Sequence, residues 1–153
     1  MAATDFYLKT RCEIYDIEIV RDLAFDIPTV ECDGQQIQQV ILNLVRNAVQ
    51  MVAEKAETLT STPEAESYHT RVTIRTVYCQ DWVHLEVVDN GPGIPEDVRE
   101  RLFEPFLTTR PVGEGIGMGL WVSWSIVVER HHGRIWAESP AEGGACLVVE
   151  LPV

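Results

Sequence analysis

Between Gln35 and Val52 the apolar residues Ile37, Val40, Ile41, Leu44, Val45, Ala48, Val49 and Val52 recur at spacings of three and four. That period predicts one long amphipathic helix, with Asp33 placed as its N-cap. A stripe this wide has to lie on a core, so the remaining segments must supply an apolar surface for it. Alternating segments at 17–23 (running out near Asp26-Ile27-Pro28), 71–78, 83–89, 134–138 and 145–151 are predicted strands, the second and third joined as a hairpin through 79–82. Strand 83–89 would turn Val83, Leu85 and Val87 to one side and His84 and Glu86 to the other. Shorter helices are predicted over 6–15, over 95–102 and from Gly119 to about Arg130. Residues 57–70, rich in Thr, Ser, Pro and Glu, read as a polar surface loop. With 153 residues, 46% of them hydrophobic, the chain suits one globular domain.

Charge and cysteine content narrow the classes of function. Twelve Lys and Arg face 24 Asp and Glu, a net charge of -12, which disfavours nucleic acid or anionic membrane as a partner. Any anionic ligand must then be held locally, by backbone N–H groups and a cation. Cys12, Cys32, Cys79 and Cys146 lack the paired spacing of a zinc site or redox dithiol, and are expected to be reduced thiols. No segment approaches the ~20 apolar residues of a membrane span. The expected compartment is the cytoplasm, with any membrane anchor belonging to a longer parent protein.

Three segments carry chemistry. Asn43 and Asn47 stand four apart inside the apolar helical run, so both amides project from nearly one face. They are either satisfied asparagines tying the helix to a loop or oxygen donors to a hard cation such as magnesium. Asp89 ends an apolar strand and is followed by Asn90-Gly91-Pro92-Gly93-Ile94. Its carboxylate either caps the strand end as an Asx-turn or accepts from an exocyclic base amine, with Gly91 and Gly93 admitting the base and Ile94 packing on it. The glycines at 113, 115, 117 and 119 then lead into a helix near Leu120, an arrangement that offers N–H groups to phosphates or serves as a hinge. Between these segments Phe103 and Phe106 flank Glu104-Pro105, and Thr108, Thr109 and Arg110 follow. This stretch is a lid that closes on ligand or docks on a partner, or else packs on the domain's own core.

In this order the segments resemble the catalytic ATP-binding domain of sensor histidine kinases. Residues 39–48 look like that family's N box, 89–94 its G1 box, 103–106 its F box and 115–120 its G2 box. The resemblance implies an α/β chain of the α+β two-layer type, the Bergerat fold: a mixed sheet covered on one face by helices, with an ATP lid at about 95–118. It implies ATP and magnesium as cofactors, with Asn47 on the metal and Asn43 assisting at the phosphates. Asp89, Gly91, Gly93 and Ile94 would form the base pocket, while Thr108, Thr109, Gly115, Gly117, Gly119 and Leu120 line the phosphate end and Arg110 joins Asn43 and Asn47 in catalysis. It implies transfer of the γ-phosphoryl group to a histidine on a separate dimerisation domain, then to a response regulator receiver domain. Related ATPases carry a glutamate where this chain has Asn43, so hydrolysis by a conformational ATPase is the alternative, beside an anti-sigma-like nucleotide-binding module. Two departures stand out: His131-His132-Gly133 replaces a His-Gly-Gly pattern, and none of His69, His84, His131 or His132 lies in an acceptor hairpin.

Overall fold

The computed structural model describes residues 2–105 and 119–153. Helix α1 (Ala2–Tyr15) leads into β1 (Glu18–Leu23) and the long α2 (Gly34–Leu59). The hairpin β2 (Arg71–Cys79) and β3 (Trp82–Asp89) precedes a short α3 (Glu96–Arg99). Helix α4 (Gly119–Trp124) continues as a π-helical stretch over Ser125–Arg130, and β4 (Arg134–Glu138) and β5 (Ala145–Pro152) close the fold. The five strands form one sheet in the order β1-β2-β3-β5-β4. β1 runs parallel to β2 and every other pair is antiparallel, so the sheet is mixed as the resemblance implied.

The Asp33 cap forms as its sequence position predicts, one carboxylate oxygen accepting from the N–H groups of Gln35 at 3.0 Å and Gln36 at 3.1 Å. Seven residues of α2 are buried: Val40, Leu44, Val45, Ala48, Val49, Val52 and Ala53. They meet Val72, Val87, Leu147, Val149 and Leu151 of the sheet in one core. Each fully buried Val or Leu contributes roughly 1.5–3 kcal/mol, so this contact is the main stabilising element of the fold. Asp89 pairs with Val72 and Ala145 across the strands and shares a face with Val87, so the carboxylate points to the helix side. The opposite face is polar: Arg75 bridges Asp22 and Glu86, and Glu150, 7% exposed, lies 3.0 Å from His84 and 3.1 Å from Arg134.

Local differences from the sequence reading have physical causes. α2 continues to Leu59, into the stretch read as polar loop, because Glu54, Lys55, Ala56 and Glu57 are good helix formers that need no apolar stripe. The rest of that stretch holds a 3₁₀ turn at Pro63–Glu66. β1 stops at Leu23, short of Asp26. The four cysteines are unpaired thiols.

His132 sits at φ 55°, the left-handed region where a glycine fits best. Gly133 cannot exchange roles with it: a Cβ there would overlap the Glu150 carbonyl, and its N–H donates to Val127 O at 2.8 Å. The helix therefore ends in the turn that a His-Gly-Gly sequence would make, with strain at the middle position. His132→Gly is expected to stabilise the chain by about 1 kcal/mol, and Gly133→Ala to destabilise it by ~2 kcal/mol or more. Thermal melts of the two variants check both signs.

Candidate nucleotide site

Because α2 is pinned to the sheet by its apolar stripe, the residues along its flank are held in place. Asn43 donates through Nδ2 to Gly119 O at 3.2 Å and to Ser123 Oγ at 3.4 Å. Ser123, fully buried, returns its own hydroxyl to Gly119 O at 2.9 Å. Asn43 thus ties α2 to the start of α4, as the helix-to-loop reading of this residue expects, and among the described residues its Oδ1 accepts from no donor. The half-buried Asn47 amide has no hydrogen-bond partner among the described residues.

Asp89 is 4% exposed. Its Oδ1 accepts from Gly91 N at 2.8 Å, so the Asx-turn expected at this strand end is present. Burial pushes its carboxyl up to about 6, while the N–H groups of Gly91 and Ala145 and the Lys55 ammonium act in the opposite direction. A Cβ at Gly91 would press on Asp89 and on Met51 of α2, which is the contact joining this turn to the helix. Gly93 has φ 84°, and Ile94 packs half-buried against the core. Leu120 does likewise at the start of α4.

The arrangement brings together Asn43, Asp89, Gly91 and Gly119 with Asn47, from segments far apart in the chain. Arg110, Thr108, Thr109, Gly115, Gly117 and Phe106 lie outside the described residues, with most of the expected lid. Phe103 packs against the core, as the alternative to a docking lid expects. Two of the four histidines, His131 and His84, make side-chain contacts that fix them in the fold. His131 Nε2 accepts from Asp33 N at 3.0 Å and Nδ1 lies 2.7 Å from Ile126 O, so an Nδ1–H tautomer satisfies both. His84 pairs with Glu150 and meets Trp136 edge-on, while His69 and His132 are exposed on a loop and a helix end.

Sequence reasoning missed four residues. Gly144, in the β4–β5 loop, has φ 77°, and a Cβ there would overlap the Asp89 carbonyl, so only glycine lets this loop pass so close to the Asp89 turn. Ser123 is a polar residue at full burial. Lys55 and Tyr68 hold the Asn90 carbonyl at 3.3 and 3.0 Å. For Lys55 the available signal was its position eight residues after Asn47 on one helix; for Tyr68, inside a polar segment, there was none.

The folded-state pKa of Asp89, about 6, lies above its ordinary 3.8, so the folded chain keeps a proton that the unfolded chain has lost. The stability this gives is present in full below about pH 4 and lost as pH rises through 6, a fall of roughly 3 kcal/mol. Asp89→Asn should remove that component. Denaturant titrations of the ligand-free chain should find the variant gaining on the parent between pH 4 and 6, with a constant difference above. Parallel pH curves would mean that burial of this carboxyl carries no cost.

Residues 32–153 match the family model described as histidine kinase-, DNA gyrase B-, and HSP90-like ATPase. The sensor histidine kinase TmoS of Ectopseudomonas mendocina is 38% identical over 153 residues, 100% of this chain and 15% of that protein. The C4-dicarboxylate transport sensor protein DctS of Rhodobacter capsulatus is 40% identical over 127 residues, 83% of this chain and 17% of that protein. Among solved structures, a nucleotide-free catalytic domain of histidine kinase ThkA aligns with a TM-score of 0.76 at 26% identity, covering 99% of this chain and 88% of that one. ThkA in complex with the response regulator protein TrrA aligns at 0.69 and 26%, covering 99% and 38%. The chain spans between 15% and 34% of the length of the curated relatives it matches first. Among the described residues no helix is long and apolar enough to cross a membrane.

Proposed function

Since the chain belongs to the family of histidine kinase-, DNA gyrase B- and HSP90-like ATPases, we propose that it is the ATP-binding catalytic part of a sensor histidine kinase. Its reaction is transfer of the γ-phosphoryl group to a histidine on a dimerisation domain of the same parent, from which a receiver-domain aspartate takes it. The observation that carries this reading is the convergence on α2. One helix touches Gly119, which ends the glycine run, through Asn43 at 3.2 Å, and the Asp89 turn through Met51.

Asp89 reads the base. A carboxylate only accepts, adenine presents an amine there, and guanine presents a second acceptor that would be left facing it unpaired. Gly91, Gly93 and Ile94 shape the pocket around the ring. Gly115, Gly117 and Gly119, with Thr108, Thr109, Leu120 and Arg110, hold and neutralise the phosphates. The donor set fits magnesium, since the Asn47 amide oxygen has no partner among the described residues. Magnesium keeps most of its shell for phosphates and water rather than for a protein cage. Asn47 would hold it, and when bound it supplies neutralisation of phosphate charge.

Asn43 orients the phosphate end while its NH₂ stays on Gly119 and Ser123. An amide has no basicity with which to take a proton from water, so the site favours transfer to a delivered nucleophile over hydrolysis. Catalysis is then positioning and charge stabilisation. His131 has both ring nitrogens engaged and His84 Nε2 lies 3.0 Å from Glu150, so labelling has only the exposed His69 and His132 to exclude within the described residues.

Two outcomes follow. Asn47→Ala should weaken magnesium-dependent ATP binding by about tenfold or more while leaving adenosine binding nearly unchanged, as calorimetry with and without magnesium would read. With γ-labelled ATP, the chain alone should take up no label and release phosphate slowly, and a histidine-bearing dimerisation domain added in trans should become labelled. Acid-labile label on this chain itself would place the acceptor inside it, and brisk phosphate release would favour a conformational ATPase.

A further inference from the structure

Lys55 lies on α2 eight residues beyond Asn47, roughly 12 Å further along the helix axis. Its Nζ is 3.3 Å from Asn90 O and 4.7 Å from the centre of the Tyr68 ring. The Tyr68 hydroxyl donates to the same carbonyl at 3.0 Å and lies 3.4 Å from Asn90 Oδ1. Asn90 is held on every side: Oδ1 accepts from Arg71 N at 2.9 Å, Nδ2 donates to His69 O at 2.6 Å, and its N–H donates to Arg71 O at 3.3 Å. A turn that needed only tethering would be complete without a cation, since the Tyr68 hydroxyl already satisfies the carbonyl. Seating an ammonium there, against an aromatic face and half out of solvent, costs hydration that must be offset by something it does.

We propose that Lys55 is the positioning residue of the base-reading end: its ammonium, seated on Tyr68, fastens the Asn90 carbonyl and keeps the adjoining Asp89 in the carboxylate form that accepts from adenine. This rests on the reading of Asp89 as the adenine acceptor. Asp89 is faced by α2, by the segment preceding β2 and by β5. From these come Lys55 and Tyr68, together with the N–H groups of Gly91 and Ala145, while Cys146 of β5 pairs with Val88 and turns to the opposite face. Burial pushes both Tyr68 and Cys146 up to about 12, so they stay neutral at physiological pH. Among the described groups that act on Asp89, Lys55 is the one carrying charge, and its sign favours the carboxylate. Burial raises Asp89 to about 6, and loss of that cation moves it further up.

The test measures ADP affinity, with magnesium, across pH 5.5–8.5 for the 153-residue chain and for Lys55→Gln, Lys55→Arg and Asp89→Asn. For the parent, binding should weaken as pH falls through about 6. Lys55→Gln keeps a donor but no charge. Its midpoint should move up; for a shift of about one pH unit Kd at pH 7 rises about twofold, approaching tenfold only near pH 5.5, and recovers at the alkaline end. Lys55→Arg should follow the parent, and Asp89→Asn should bind weakly with no such midpoint. A parent-like midpoint in Lys55→Gln beside a weak Asp89→Asn overturns the role of Lys55 and leaves the base reading standing. Tight ADP binding by Asp89→Asn overturns the base reading itself, and this inference with it. If Lys55→Gln does not fold, Lys55→Met is read by the same midpoint.

Discussion

The packing of α2 on the sheet is the contact on which the site depends. Val40, Leu44, Val49 and Val52 have no exposed surface, so the helix can neither slide nor rotate without breaking the core. That rigidity fixes the flank residues as a row. Asn43 reaches the start of α4, Met51 meets the Gly91 turn, and Lys55 reaches the Asn90 carbonyl. The distance between the Gly119 contact and the Asp89 turn is therefore set by the pitch of one helix.

The Asp89 turn is costly to maintain. A carboxyl at 4% exposure is disfavoured as an anion, and the fold answers with two backbone donors and a nearby cation rather than with a close ion pair. An oxygen fully committed to an arginine would be satisfied but less available to a ligand. Partial compensation leaves Asp89 ionisable, at the expense of stability. Gly144 belongs to the same device, since it lets the β4–β5 loop pass close over the Asp89 carbonyl.

Much of this was legible in the residues. The three- and four-residue spacing of 37–52 located α2, Asp33 capped it as expected, and the alternation at 83–89 put Asp89 on the same face as Val87. These features are local, and local pattern is what periodicity reports. The continuation of α2 to Leu59 was hidden because helix propensity there acts without an apolar stripe. The π-helical stretch at Ser125–Arg130 and the left-handed His132 were hidden because both follow from how that helix meets β4 and β5. Tyr68 could not be found from sequence, because its partners, Asn90 and Lys55, come from two other elements. Asn43 serves as a helix tether through its NH₂, and among the described residues its oxygen has no donor.

The central claim is that a nucleotide lies along the flank of α2 between the Asp89 turn and Gly119. Two-dimensional amide spectra of the ¹⁵N-labelled chain during titration with ADP and magnesium test it most directly. The account predicts that the side-chain amides of Asn43 and Asn47 and the backbone amides of Asn90, Gly91 and Ala145 shift together, with the Trp136 indole on the opposite face of the sheet unmoved. Saturating shifts at Trp136 and Arg134, with both asparagine side-chain amides stationary, would contradict it.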